Sequence, residues 1–290
     1  MTEPASDIVI LEPAELPLPY AELGEGPHWE IETQSLYWVD IPARVVYRMD
    51  ESGGYTSWDV GMPVGAVVPR ATGGLCVAAG TGFYAFDLDT GEVAEIAAAP
   101  GPPGTRMNDG ACDRAGRFYA GSMDIDEKPG RGSFYRLGLD HRVTTLFDGV
   151  GISNGVGWSP DDRLMYYIDS LAYRVDVADY DLESGTMGER RPFVAGLGSG
   201  ESVPDGLAVD AEGGVWAAVW GSGAIYRYDA SGQLSGVVRL PAAHVTSCAF
   251  GGPDLDQLYI TTAAGPGRSA GALFTCPAGV KGLAAHPYRG

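Results

Sequence analysis

The sequence predicts an all-β fold, a six-bladed β-propeller. Three features support this prediction: a turn-rich composition, a strand pattern that recurs six times, and the spacing of the repeats. The 290 residues include 43 glycines, 20 prolines and 15 tyrosines. Glycine and proline interrupt long helices, and aromatic side chains favour pleated sheets. The composition therefore favours many short strands joined by tight turns.

The repeated unit is an apolar, often aromatic strand that follows a turn rich in Gly or Asp. It recurs at 35–39, 74–78, 117–120, 164–168, 214–218 and 257–261. A second strand follows each of these, at 46–50, 83–87, 134–137, 173–176, 225–229 and 272–274. Successive repeats lie 39 to 50 residues apart, which is the length of one four-stranded propeller blade. Six such blades fill the chain.

Closure of the ring is expected to involve the N-terminus. We predict one domain over residues 1–290, in which the early apolar strand 8–11 completes the last blade beside residues 280–283. The chain would then return to its starting point, and the first and last blades would be joined by strand pairing.

Charge and sequence ends exclude several classes of function. The chain has 38 acidic and 19 basic residues. Its formal charge of −19 would repel nucleic acids and anionic membranes. Residues 1–23 lack the basic flank and the long apolar run of a signal peptide or membrane span, so we predict a cytoplasmic protein. The acidic surface favours solubility and is compatible with a monomer.

In each repeat, one residue stands ten or eleven positions before the second residue of the recurring apolar strand. In a propeller these residues share one end of the innermost strands, around the mouth of the central channel. They are Glu25, Gly65, Asn108, Asn154, Asp205 and Ser247. Four of the six carry carboxylate or amide oxygens, the ligands of a hard divalent cation such as calcium, magnesium or manganese, with zinc and iron left open.

The asparagines strengthen this hypothesis, because Asn108 and Asn154 are the only two in the chain. The alternative is that Asn-Asp-Gly, Asn-Gly and Asp-Gly simply form turns, which would explain any one of these sites alone. Because all four residues stand at nearly the same offset from their strands, a shared metal site explains them better than four unrelated turns.

Several short motifs together resemble those of one known family. They lie at 24–29, 39–43, 106–110, 120–123, 152–155, 167–170, 204–206 and 246–248. Through them the sequence resembles, over essentially its whole length, the regucalcin and gluconolactonase group, also called senescence marker proteins. The resemblance implies a six-bladed propeller with one divalent metal ion, and metal-dependent hydrolysis of a sugar lactone such as gluconolactone, xylonolactone or arabinonolactone to the aldonic acid.

The same resemblance assigns individual residues. It implies that Glu25, Asn154 and Asp205 bind the metal, and that Arg106 and Asn108 face the substrate.

It further implies that an acidic residue after the segment 120–123 contacts the sugar. Counting from Met123 gives Asp126, and Asp124 and Glu127 are the alternatives.

The chemistry of these side chains suggests a mechanism. A carboxylate at the ion can hold water and remove its proton, so Asp205 is our candidate for the general base. Arg106 and Asn108 can hydrogen-bond a polyhydroxylated ring, and Asp109 is expected either to orient Arg106 or to stabilise its turn. Two rival functions stay open: a phosphotriesterase-like propeller hydrolase with Asn108 as a fourth metal ligand, and a calcium-binding protein without catalysis.

Overall fold

The computed structural model of the protein describes residues 8–290 and confirms the six-bladed β-propeller. Residues 1–7 of the predicted domain lie outside this range. In the described part, the helical structure is the single 3₁₀ turn η1 (Ser170–Ala172), and no helix is long and apolar enough to cross a membrane.

The strands are numbered in chain order. Two short ones precede the first blade: β1 (Val9–Leu11) and β2 (Ala14–Glu15). Blade one comprises β3 (Gly24–Glu30), β4 (Ser35–Asp40), β5 (Val45–Met49) and β6 (Tyr55–Asp59). Blade two comprises β7 (Val64–Pro69), β8 (Leu75–Ala79), β9 (Gly82–Phe86) and β10 (Val93–Ala98). Blade three comprises β11 (Thr105–Cys112), β12 (Phe118–Asp124), β13 (Gly132–Leu137) and β14 (Val143–Val150). Blade four comprises β15 (Ser153–Trp158), β16 (Leu164–Asp169), β17 (Arg174–Asp181), β18 (Thr186–Met187) and β19 (Arg191–Ala195). Blade five comprises β20 (Val203–Val209), β21 (Val215–Trp220), β22 (Ala224–Tyr228) and β23 (Leu234–Arg239). Blade six comprises β24 (Val245–Gly251), β25 (Gln257–Thr262) and β26 (Phe274–Pro277).

The strands that recur most clearly in the sequence are the second strands of the blades. In β4, β8 and β12 every residue is buried, because blades on both sides cover the two faces of the sheet. A strand buried on both faces reads as a continuous apolar run, which explains why the repeat is visible in the sequence. The inner strands β3, β7, β11, β15, β20 and β24 pack around the channel in ring order and carry more glycine and polar residues.

The hydrophobic core is divided among the blade interfaces. Six apolar clusters are present among the described residues, one between each pair of neighbouring blades. Between blades five and six, for example, Trp216 meets Phe250 edge to face with ring centroids 5.7 Å apart. Because every blade covers its neighbours in this way, the ring fixes the positions of the inner strand ends.

The N-terminal segment joins two blades, so the predicted pairing of residues 8–11 with 280–283 is wrong. β1 lies parallel to β23 in blade five, and β2 adds the fourth, outermost strand to blade six beside β26. Gly282 instead bridges to Asp210. Pro13 separates β1 from β2 and has no amide hydrogen to continue a strand ladder, which allows the chain to change blades.

Candidate metal and substrate site

The pairing of every inner strand with its neighbour is interrupted near the channel mouth. The register shifts, as at a β-bulge, between Glu25/His28, Val64/Ala66, Met107/Gly110, Ser153/Val156, Pro204/Leu207 and Val245/Ser247. A bulge leaves residues unpaired and redirects their side chains, which is why bulges recur at functional sites. Asn108, Asn154 and Asp205 lie inside such interruptions, and Glu25 lies immediately before one.

Glycine at the mouth permits the inner strands to come close together. A Cβ atom on Gly206 would lie 2.1 Å from Ser247 Oγ, and one on Gly65 would lie 2.4 Å from the carbonyl oxygen of Asn108. Real side chains do not tolerate such distances, so only glycine fits. The Asp205-Gly206 sequence therefore serves close packing as well as turn formation, and Gly65 makes room for the backbone of Asn108.

The four oxygen-bearing residues predicted from the sequence meet at the mouth, and each is only 4–6% exposed. Asn108 Nδ2 donates to the carbonyl oxygen of Ser153 at 2.7 Å and to Asn154 Oδ1 at 3.1 Å. Asn154 Nδ2 donates to Ser170 Oγ at 2.8 Å. These bonds orient the amide oxygen of Asn154 away from Ser170 and leave it a free lone pair.

The carboxyl groups of Glu25 and Asp205 are close enough to share a hydrogen bond if one of them is protonated. As carboxylates both can only accept, and Asp205 Oδ1 is buried without a donor among residues 8–290. Burial is the main cause that raises the pKa of both groups. The charge of Asp109 adds to this effect on each, and the charge of Glu25 adds to it on Asp205. Such a pair favours either protons or a cation.

Arg106 is the positive group beside this pair. Its Nη1 donates to Asn108 Oδ1 at 2.6 Å and to the carbonyl oxygen of Met107 at 3.0 Å. Burial lowers the pKa of the guanidinium, and the charges of Glu25, Glu127 and Asp205 oppose that effect. Neither of these two hydrogen bonds involves Asp109, so Asn108 orients the arginine.

The acidic loop after β12 does not bring all three sugar-contact candidates to the site. Asp126 has a side chain 71% exposed and pairs with Lys128 at 2.7 Å, a surface contact. Asp124 is buried, where it accepts from Arg131 and from the Asp126 amide. Glu127 lies at a left-handed turn with φ 58°, and its charge acts on Arg106. Both Asp126 and Glu127 are exposed, but of the three only Glu127 is among the charges that act on Arg106, although counting from Met123 selects Asp126.

Comparison with known proteins assigns the family. The sequence profile described as the SMP-30/Gluconolactonase/LRE-like region matches residues 23–264. The chain belongs to the SMP-30/gluconolactonase/LRE-like family. This membership confirms the resemblance inferred from the eight short motifs.

Three relatives show how far the similarity within this SMP-30/gluconolactonase/LRE-like family extends. Regucalcin of Danio rerio is 41% identical over 283 residues, covering 93% of this chain and 95% of that protein. The structure of a luciferin-regenerating enzyme superposes with a TM-score of 0.89 at 33% identity, covering 96% of this chain and 99% of the other. Regucalcin from Agrobacterium tumefaciens, described as a calcium-binding protein, gives 0.90 at 28% identity over 97% and 99%.

The donor set of this family member fits a hard divalent cation. Counting only His, Cys, Asp and Glu, residues 8–290 contain no group of three placed to hold a metal. A metal site here would therefore depend on the amide oxygen of Asn154 in addition to the carboxylates of Glu25 and Asp205. The buried Asp205 Oδ1 without a donor is the observation that best matches a cation, because an unpartnered buried carboxylate oxygen is otherwise costly.

Below the mouth, the later halves of the inner strands line a cavity of about 250 Å³. Asp109 and His28 face it, and residues 283–286 complete its lining. Burial lowers the pKa of His28 to about 3, so this imidazole is neutral, and burial raises the pKa of Asp109 to about 6. Asp109 therefore faces the cavity, and its Oδ1 accepts from the Gly110 amide at 2.7 Å, which matches the turn-stabilising alternative and not the orientation of Arg106.

Proposed function

We propose that this protein hydrolyses a sugar lactone to the aldonic acid and requires one divalent metal ion for it. The observation that supports this most directly is the buried, donor-free Oδ1 of Asp205 beside Glu25 and Asn154, with Arg106 at the same mouth. Membership of a family named after gluconolactonase supports the reaction class. Calcium is the first candidate for the ion, since an Agrobacterium relative is described as calcium-binding.

Glu25, Asn154 and Asp205 would hold the cation. A bound divalent ion would polarise the lactone carbonyl and stabilise the negative charge that develops on its oxygen. Oxygen-only ligands match calcium, magnesium or manganese better than softer metals.

Asp205 moves the proton in our scheme. Its carboxylate takes a proton from water while the water oxygen forms a bond to the lactone carbonyl carbon. When the ring C–O bond breaks, the departing ring oxygen receives that proton from Asp205, and the products are a carboxylic acid, which loses its own proton to solvent at neutral pH, and a hydroxyl group. Water and lactone thus combine into the aldonic acid without any other reactant.

Arg106 and Asn108 would bind and orient the sugar. The Oδ1 of Asn108 already accepts from Arg106, and its Nδ2 already donates to the neighbouring blade. Because the guanidinium at Asn108 Oδ1 is itself a cation and would repel a metal ion there, this arrangement suits a residue that positions Arg106 better than a fourth metal ligand. It therefore favours the lactonase over the phosphotriesterase-like alternative. The remaining donors of Arg106 can bond hydroxyl oxygens.

The acidic loop gives the first prediction about substrate binding. Replacing Glu127 with glutamine should raise KM for the lactone about tenfold, because a charge-assisted hydrogen bond is lost. The matched change Asp126→Asn removes a carboxylate that is exposed and surface-paired, and should change KM by less than about twofold. Steady-state kinetics of the two variants check this. The reverse ranking would assign the contact to Asp126.

The proposed function is tested by a pH-stat assay with lactones of five and six carbons and, in parallel, a phosphotriester. The protein is first stripped with a chelator and then supplied with calcium, manganese, magnesium or zinc. We expect turnover of at least one aldonolactone, its loss on stripping, and its return with a divalent ion. Full activity in the stripped protein would contradict the metal requirement. Tight calcium binding without lactone turnover would instead identify a calcium-binding protein.

A further inference from the structure

Two turns beside the site are built in the same way. Asp40, at the end of β4, accepts from the Glu22 amide at 2.8 Å through Oδ2 and from the Leu23 amide at 3.1 Å through Oδ1. Asp40 is only 3% exposed. A carboxylate that accepts two successive backbone amides fixes the path of the chain between them.

Asp169, at the end of β16, repeats this arrangement on the opposite blade of the ring. It accepts from the Gly151 amide at 3.0 Å through Oδ2 and from the Ile152 amide at 3.1 Å through Oδ1. It also caps η1 by accepting from the Leu171 amide at 3.2 Å. The residue that follows it, Ser170, is the acceptor for the Asn154 side chain.

The spacing to the candidate metal ligands is identical in the two blades. Glu25 lies two residues after the second clamped amide, that of Leu23, and Asn154 lies two residues after that of Ile152. Each carboxylate therefore fixes the turn that leads directly into one ligand. Ligands held in place in advance need less ordering when an ion binds.

The third ligand has no such clamp. At the corresponding end of β21 stands Trp220, which pairs with Val203 and stacks on His244 with ring centroids 3.9 Å apart. An indole cannot accept backbone amides as a carboxylate does. Asp205 therefore enters the site on an unclamped turn and keeps a donor-free oxygen.

We propose that Asp40 and Asp169 are positioning residues that hold Glu25 and Asn154 in metal-binding geometry, while Asp205 is left free to exchange between ion and water. The inference rests on the proposed function, since it assumes a cation at this site. It predicts that the two aspartates control affinity for the ion although neither contacts it.

Calcium alone is the probe, titrated calorimetrically into the metal-free full-length protein under conditions where it is folded. Asp169→Asn and Asp40→Asn should each weaken calcium binding about 10- to 100-fold, because an amide offers only one acceptor oxygen to the two backbone amides. Asp229→Asn is the control for the same substitution at a distant turn: one oxygen of its carboxylate, Oδ1, accepts from the amides of Ser231 at 2.8 Å and Gln233 at 3.0 Å in the outer hairpin of blade five. Its calcium affinity should be unchanged.

If the two aspartates only stabilise the fold, the metal-free variants should unfold at lower urea concentration while the calcium Kd of the folded fraction stays unchanged. That result would overturn the inference. If Asp169→Asn does not fold, Ser170→Ala gives the second reading, since it removes the acceptor of Asn154 and should also weaken calcium binding. Wild-type protein that binds no calcium would overturn the inference as well. Weakened binding in both variants without lactone turnover in the wild type would support it and refute the proposed hydrolysis separately.

Discussion

Replacing Asp205 with asparagine is expected to lower kcat for lactone hydrolysis about a thousandfold, because the variant keeps the shape of the side chain but loses the base. Asp205 is 6% exposed, and its Oδ1 meets no donor among residues 8–290, so its lone pairs are available to water or an ion. The measurement is pH-stat kinetics at saturating metal, so that weaker affinity for the ion is separated from loss of proton transfer.

The matched control is Ser247→Ala. Ser247 occupies the same register on the next blade, is equally buried, and has no assigned role in metal binding or catalysis. This variant should keep most of the wild-type kcat. An Asp205→Asn variant that turns over at a rate close to wild type once metal is saturating would mean that another group removes the proton.

Much of the architecture could be predicted from the sequence because it depends on local patterns. The second strand of each blade is buried on both faces, and its apolar run repeats at blade spacing. Counting back from those runs placed Glu25, Asn108, Asn154 and Asp205 at one mouth, where the structure brings them together. The closed ring converts a constant sequence offset into spatial proximity.

The features that escaped prediction depend on contacts distant in sequence or on backbone detail. The division of the N-terminus between two blades is decided by which free strand edge each short strand meets. Glu127, which the sequence offered only as an alternative to Asp126, lies at a left-handed turn that no spacing rule reveals.

The hydrogen bonds of Asp40 and Asp169 to the turns before Glu25 and Asn154 were missed for a related reason. Asp40 and Asp169 lie in motifs that supported the family resemblance, but their bonds run to residues 17 and 18 positions away. The sequence offers one signal for them, an aspartate directly after a buried strand and fifteen residues beyond a mouth residue.

Calcium affinity is expected to strengthen at least about a hundredfold between pH 5.5 and 7.5, since each proton that the ion displaces contributes about tenfold per pH unit. Burial and the neighbouring carboxylates raise the pKa of Glu25 and Asp205, so in the metal-free protein these groups hold protons well above their ordinary range. Calcium must displace those protons at acid pH and meets carboxylates at higher pH. Calorimetric titrations across this range measure the slope.

The stability of the metal-free protein should change in the opposite direction. A carboxyl group whose pKa is raised by folding binds its proton more tightly in the folded state, so its contribution to stability is complete below the unfolded pKa and is lost as the pH rises through the folded one. The melting temperature of the stripped protein should therefore fall from pH 5.5 to 7.5, while the increase that calcium produces should grow. Asp205→Asn removes one titrating group and should flatten both trends. An affinity independent of pH would contradict this prediction. It would show that the carboxyl groups of Glu25 and Asp205 are already ionised in the metal-free protein, because the positive charge of Arg106 outweighs the effect of their burial.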